Sequence, residues 1–126
     1  MTNLLAVALG GAIGAAARYL LAGQVGRWLG IAFPWGTLAV NVLGCFAMGL
    51  LVEWLALRWS ASPAMRAFLA VGILGGFTTF SSFALDTATL AARQDYLATA
   101  LYVAGSVALS ILAFYAGMFL VRHAVP

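Results

Sequence analysis

The sequence predicts an all-α integral membrane protein of four transmembrane helices in a single domain, 1–126. Three observations predict it. Hydrophobic residues make up 65% of the 126 positions and charged residues 7%, where an ordinary soluble domain carries roughly 25% charged and 45–50% apolar residues. A soluble fold of this size has too much surface to hide two thirds of its side chains, and a chain this apolar does not stay disordered. Charged residues also fence off four uncharged stretches, Met1–Ala17, Trp28–Val52, Ala67–Leu85 and Tyr96–Val121, of 17, 25, 19 and 26 residues. A helix needs about 20 residues to cross a hydrocarbon core, so the chain holds four spans and little else. No stretch is polar enough to form a hydrophilic catalytic domain.

The predicted spans are 2–22, 34–57, 64–90 and 95–121. The first runs past Arg18 because an arginine near a helix end can carry its charge to the headgroups. It has no basic leader and no small-residue cleavage site, so it is expected to be a span and not a removed signal peptide. The second and third are expected to start at Pro34 and Pro63, which suit a first helical turn, with Ser62 as an N-cap. Trp28, Trp35, Tyr19 and Tyr96 fall at one set of span ends and Trp54 and Trp59 at the other, as aromatic belts do. Cys45 is alone, so no intrachain disulfide forms.

Orientation is weakly encoded. Arg58, Arg66 and Arg122 fall on one side; Arg27 and Arg93 fall on the other, joined by Arg18 if it reaches outward. Basic residues normally mark the cytoplasmic side. So even a score leaves two readings: orientation set by other factors, or insertion in both directions, with opposite copies pairing as an antiparallel dimer. The net charge of +3 is too thinly spread to suggest nucleic-acid binding.

The third span is the most informative. Gly72, Gly75 and Gly76 precede Thr78, Thr79, Ser81 and Ser82. Glycines followed by hydroxyl residues near mid-membrane fit a broken helix, tolerated at that depth only against protein or a wet cavity; half-helix ends of this kind form ion sites in transporters. They fit equally a glycine packing face with back-bonded hydroxyls. Phe77, Phe80 and Phe83 recur every three residues, either packing or turning their positive ring edges toward an anion. In the second span, Thr37, Asn41, Gly44 and Cys45 share one face, where Asn41 serves as interhelical glue or faces water. The fourth span carries Tyr102, Ser106 and Ser110 at i, i+4, i+8, a track for a small hydrogen-bonding solute or a set of back-bonded serines. Gly10, Gly14 and Arg18 share a face of the first span; Arg18 there is a headgroup anchor or an attractor of anions.

Other chemistry is excluded by the residues themselves. The single histidine, His123, lies near the C-terminus, and no acid sits centrally in a span. Metal clusters of His, Cys and carboxylates, catalytic triads and phosphate loops have nothing to build them, so the chain is not expected to be an enzyme.

The motifs taken together resemble a known family. The segment Gly75-Gly-Phe-Thr-Thr-Phe-Ser-Ser-Phe83 is similar to the third-span signature of the Fluc (CrcB-type) fluoride channels. Gly10-Gly-Ala-Ile-Gly-Ala-Ala-Ala-Arg-Tyr19 and Gly36-Thr-Leu-Ala-Val-Asn-Val-Leu-Gly-Cys-Phe46 resemble their first- and second-span motifs. The fourth span is matched by its hydroxyl stripe alone.

The resemblance implies a dual-topology antiparallel homodimer in a prokaryotic inner membrane, with the third helix broken near mid-membrane and two pores that pass fluoride out of the cell down its gradient. It implies a structural sodium ion at the dimer centre, held by the backbone carbonyls of Gly75 and Thr78 from both subunits. The fluoride pathway it implies includes Asn41, Phe80, Phe83, Thr79, Tyr102, Ser106, Ser110 and Arg18. Arg18 maps to the family's first-span arginine. Phe77 and Asp86 receive no role. Fluoride is a small, strongly hydrated acceptor, and a file of neutral donors can replace its water without trapping it. Two other classes fit the composition: a small dual-topology multidrug antiporter, which requires a membrane-embedded glutamate absent from this first span, and a non-transporting membrane assembly factor whose polar faces are glue.

Overall fold

The computed structural model describes residues 1–124. Helix α1 spans Thr2–Leu29 and α2 spans Trp35–Leu57. The third span, Pro63–Ala92, is a composite. It opens with α3, Pro63–Arg66, widens into a π-helical stretch, Ala67–Leu74, and tightens into α4, Gly75–Phe77. After two extended residues it resumes as α5, Phe80–Ala92. Helix α6, Tyr96–Ala124, closes the chain. The described residues contain no strand, and the four spans are long and apolar enough to cross a membrane.

Local chemistry sets the boundaries. Ser62 Oγ accepts the Met65 N–H at 3.2 Å, with Pro63 in the first turn. Asp95 Oδ1 accepts the Ala98 N–H at 3.3 Å and starts α6 the same way. Helix α1 continues beyond Ala22 because Gly23 and Gly26 keep helical backbone; it stops where Gly30 takes the left-handed conformation, φ 87°.

The third span breaks, but two residues beyond its paired glycines. Gly75 and Gly76 remain helical, whereas Thr78 (φ −84°, ψ 157°) and Thr79 (φ −150°, ψ 122°) are extended. The break falls there because side chains supply what the helix gives up. Thr79 Oγ1 accepts the Ser82 N–H at 3.1 Å and caps α5, a task glycine cannot perform.

The glycines serve packing instead. Helix α1 lies along the first half of the third span, in the same direction; a Cβ on Gly10 would stand 2.9 Å from Gly72 Cα. Helices α2 and α6 also run in the same direction and meet at Gly49 and Gly117, where a Cβ on Gly117 would stand 2.9 Å from Leu50 N. Close backbone approach of this kind is how helices gain dispersion energy in a bilayer, which offers no hydrophobic drive for them to associate. Beyond that crossing, buried Glu53 takes a two-pronged ion pair from Arg122, at 3.2 and 3.3 Å. Short of it, toward the N-terminal ends, α2 and α6 flank the break.

Candidate functional site

The break in the third span is held open by Asn41. Its Oδ1 accepts the Thr79 N–H at 2.7 Å, and its Nδ2 donates to the Thr79 carbonyl at 3.0 Å. The side-chain amide thus pairs with one residue of extended backbone as a neighbouring strand would. The two readings of Asn41 merge: it is glue, and it lines the opening that the glue creates. One of its two amide N–H groups remains for another acceptor.

Beside the break lies a cavity of about 330 Å³ between α2, α5 and α6. Asn41 and Cys45 line it from α2, Thr78, Thr79, Phe80 and Phe83 from the break and α5, and Ser106 and Ser110 from α6. Six residues of the expected pathway, Asn41, Thr79, Phe80, Phe83, Ser106 and Ser110, therefore meet on one space. No carboxylate and no cationic side chain lines it. Ser106 is 5% exposed, and its hydroxyl has no hydrogen-bond partner. A buried unsatisfied hydroxyl is costly and calls for an explanation, such as a bound solute. Ser106 is thus not one of the back-bonded serines expected as an alternative.

The aromatic residues form a file. Phe80 and Phe83 stand 5.4 Å apart between ring centres, and Phe83 stands 5.2 Å from Tyr102. Phe33, from the α1–α2 loop, meets Tyr102 edge-on at 5.5 Å. Phe80 is 78% exposed in the single chain although it sits at mid-span. Phe77 packs away from the cavity, over Gly44 of α2.

Tyr102 and Arg18 differ from expectation. Tyr102 is buried and its hydroxyl donates to Asp86 Oδ2 at 3.0 Å, so its proton is already committed and its ring faces the file. Asp86 was not legible as part of the site, because no local spacing links residues 16 apart on two helices. Arg18 does not reach the Asn41 cavity. Its Nε donates to the Gly76 carbonyl at 3.1 Å, and it lines a second cavity of about 390 Å³ with Arg27, Thr37, Thr79 and Ser82. Thr79 borders both cavities, so the break separates a basic basin from the donor-lined space.

The interruption also redirects two helical donors. The Thr79 N–H, which would serve the Gly75 carbonyl in a continuous helix, goes to Asn41; the Ser82 N–H, which would serve Thr78, goes to Thr79 Oγ1. Gly75 is exposed, and a Cβ there would meet only the Ala70 carbonyl, at 3.5 Å.

Comparison with known proteins agrees with this architecture. A family model described as "CrcB-like protein, Camphor Resistance (CrcB)" matches residues 5–118. A protein of Rhodospirillum centenum named "Fluoride-specific ion channel FluC" is 54% identical over 125 residues, 99% of each chain. One of Chelativorans sp. with the same name is 58% identical over 122 residues, 97% of this chain and 98% of the relative. Another, of Nitrobacter winogradskyi, is 51% identical over 121 residues, 96% of each. With the family model matched over residues 5–118 and relatives 51–58% identical over nearly their whole length, the chain belongs to the CrcB-like family of multi-pass membrane proteins.

Proposed function

We propose that this chain is a fluoride-selective channel that lets the ion leave the cell passively, and that it works as an antiparallel homodimer with two pores. The observation that carries the proposal is the cavity at the break: it is lined by amide and hydroxyl residues and two phenylalanines, with one unpartnered buried hydroxyl among them and no charged side chain. Fluoride gives up strongly bound water only to good donors. The free amide N–H of Asn41 and the hydroxyls of Ser106 and Ser110 supply them at mid-membrane depth. Edges of the Phe80 and Phe83 rings turned toward the ion would add positive quadrupole without a charge that would hold it too long. Arg18 and Arg27 raise the local anion concentration in the second cavity, on the far side of Thr79.

Dimerisation follows from what one chain leaves uncovered. An extended backbone pair at mid-span, with Gly75 and Phe80 exposed beside it, cannot face lipid. A second, inverted copy laid over this face covers both and turns each open cavity into a passage. The carbonyls of Gly75 and Thr78, relieved of their helical donors, suit a sodium ion at the centre of such a dimer. There it would supply the positive charge that those oxygens lack. Nothing in the fold favours the multidrug-antiporter alternative, since α1 carries no acid.

Fluoride efflux from proteoliposomes, followed with a fluoride-selective electrode, tests the proposal. Rapid efflux with chloride retained is the expected result. No efflux from well-folded protein, or equal chloride flux, overturns it.

A further inference from the structure

Phe33 has no part in the function above, yet several contacts fix where it sits. Its ring centre lies 5.5 Å from that of Tyr102 at an interplanar angle of 90°, and 4.6 Å from that of Trp35. Its carbonyl accepts the Trp35 N–H at 2.8 Å across Pro34 (φ −80°, ψ 65°), an inverse γ-turn that joins Phe33 rigidly to the start of α2. Arg93, at the end of α5, donates from Nη1 to the Ala32 carbonyl at 3.2 Å and ties the same loop to the third span.

Tyr102 needs such a neighbour. It is 1% exposed, and its hydroxyl is anchored on Asp86. That anchor lies on the long axis of the ring. It holds the oxygen in place but leaves open the angle of the ring plane about that axis, a torsion with broad minima. The angle matters to an anion, because a ring is positive at its edge and negative on its face: a quarter turn reverses the sign that it presents. Phe83 stands against Tyr102 at a tilt of 41°, but Phe83 leans in turn on Phe80, which is 78% exposed. Phe33 is the ring neighbour whose backbone is tied down on both sides, by the turn and by the Arg93 contact to its loop.

We infer that Phe33 is a positioning residue for the passage: it sets the ring plane of Tyr102, and through it the polarity that this end of the aromatic file turns toward a passing anion. The hold on Tyr102 follows from the packing alone, whereas its effect on fluoride flux rests on the channel reading.

The test pairs fluoride efflux from vesicles with fluorine NMR of the full-length protein labelled with meta-fluorotyrosine, in fluoride-free detergent. The Tyr102 line is assigned by its loss in Tyr102→Phe, and should stand apart from those of the exposed Tyr19, Tyr96 and Tyr115. Phe33→Ala should shift and narrow the Tyr102 line through faster ring rotation, leave the other three unmoved, and cut efflux about fivefold, within what one aromatic contact commands. Phe33→Tyr, which keeps the ring, should transport within about twofold of wild type. Should Phe33→Ala not fold, Phe33→Val, which retains part of the bulk, is read in its place. An unchanged Tyr102 line overturns the inference. So does a changed line with full efflux, or a loss of efflux in Phe33→Tyr as large as in the truncated variant. If wild type moves no fluoride, the channel reading fails, and the Tyr102 line alone still decides whether Phe33 holds the ring.

Discussion

Asn41 and Thr79, 38 residues apart in sequence, exchange two hydrogen bonds, so that one side-chain amide stands in for the acceptor that the Thr79 N–H has lost at the break. The pair ties α2 to the point where the third span opens. Removing it with Asn41→Ala would strand the Thr79 N–H, at a cost of about 1–3 kcal/mol, and take a second donor from the Thr79 carbonyl, which as the N-cap of α5 keeps its helical one. Asn41→Ala should therefore lower the unfolding temperature in detergent and abolish fluoride efflux. An unaltered unfolding temperature would mean the break is held by something else.

Ser106→Ala should separate stability from transport. Its hydroxyl has no partner within the chain, so deleting it removes an unsatisfied buried group and should leave the unfolding temperature unchanged or slightly raised. Efflux should fall about tenfold, the factor that a hydrogen bond of roughly 1.4 kcal/mol commands. Unchanged efflux would place the ion elsewhere.

Replacing Phe80 or Phe83 with Ile keeps apolar bulk and deletes the ring edge. Flux should drop sharply in both variants while cross-linking still reports a dimer. Phe83→Ile should also cost stability, about 0.5–1.5 kcal/mol for each lost ring contact, since Phe83 touches both Phe80 and Tyr102. Phe80→Ile loses only one. Full transport in both would exclude a quadrupolar role.

The α2–α6 crossing should be intolerant of a single methyl group. A Cβ on Gly49 would press on the Phe114 carbonyl and stand 3.1 Å from Met118 N, all backbone. Gly49→Ala should destabilise by about 1–3 kcal/mol through overpacking. Gly105→Ala, with open space around the added Cβ, should be neutral or stabilising by up to about 1 kcal/mol through helix propensity. Thermal unfolding of the two variants side by side checks the contrast.

The Glu53–Arg122 pair should respond unequally to loss of either partner. The glutamate side chain is 7% exposed and the arginine side chain 60%. Arg122→Ala leaves a buried carboxylate unpaired, whereas Glu53→Gln leaves a cation that water can solvate. Arg122→Ala should therefore lower the unfolding temperature more than Glu53→Gln. The reverse order would mean that the carboxylate is better solvated than its burial indicates.

Much of the fold is written in local chemistry. Composition sets the solvent, charges set the ends of the spans, Ser62 and Pro63 start the third, and the glycine spacing on α1 marks a close-packed face. The cavity-lining residues on α2 and α6 were legible as shared faces because helical spacing alone puts Asn41 and Cys45, or Ser106 and Ser110, on one side of a helix. What spacing cannot express is which faces meet. The two roles open for Asn41 and for the third-span glycines turned out to be compatible, since packing glycines precede the break and hydroxyls form it. Asp86 and the true partner of Arg18 lay outside any motif, because each is joined to its partner through space, across helices.

The sequence by itself determined that this chain is a bilayer protein of four helices, the third carrying glycines and hydroxyls that fit a break and a packing face alike, because hydrophobicity, helical period and capping are properties of neighbouring residues. Only the tertiary structure decided where that helix opens, which hydroxyl is left without a partner, and that Arg18 and Asn41 face different cavities. Those outcomes depend on which backbone groups find donors on another helix, and in hydrocarbon every such group must find one.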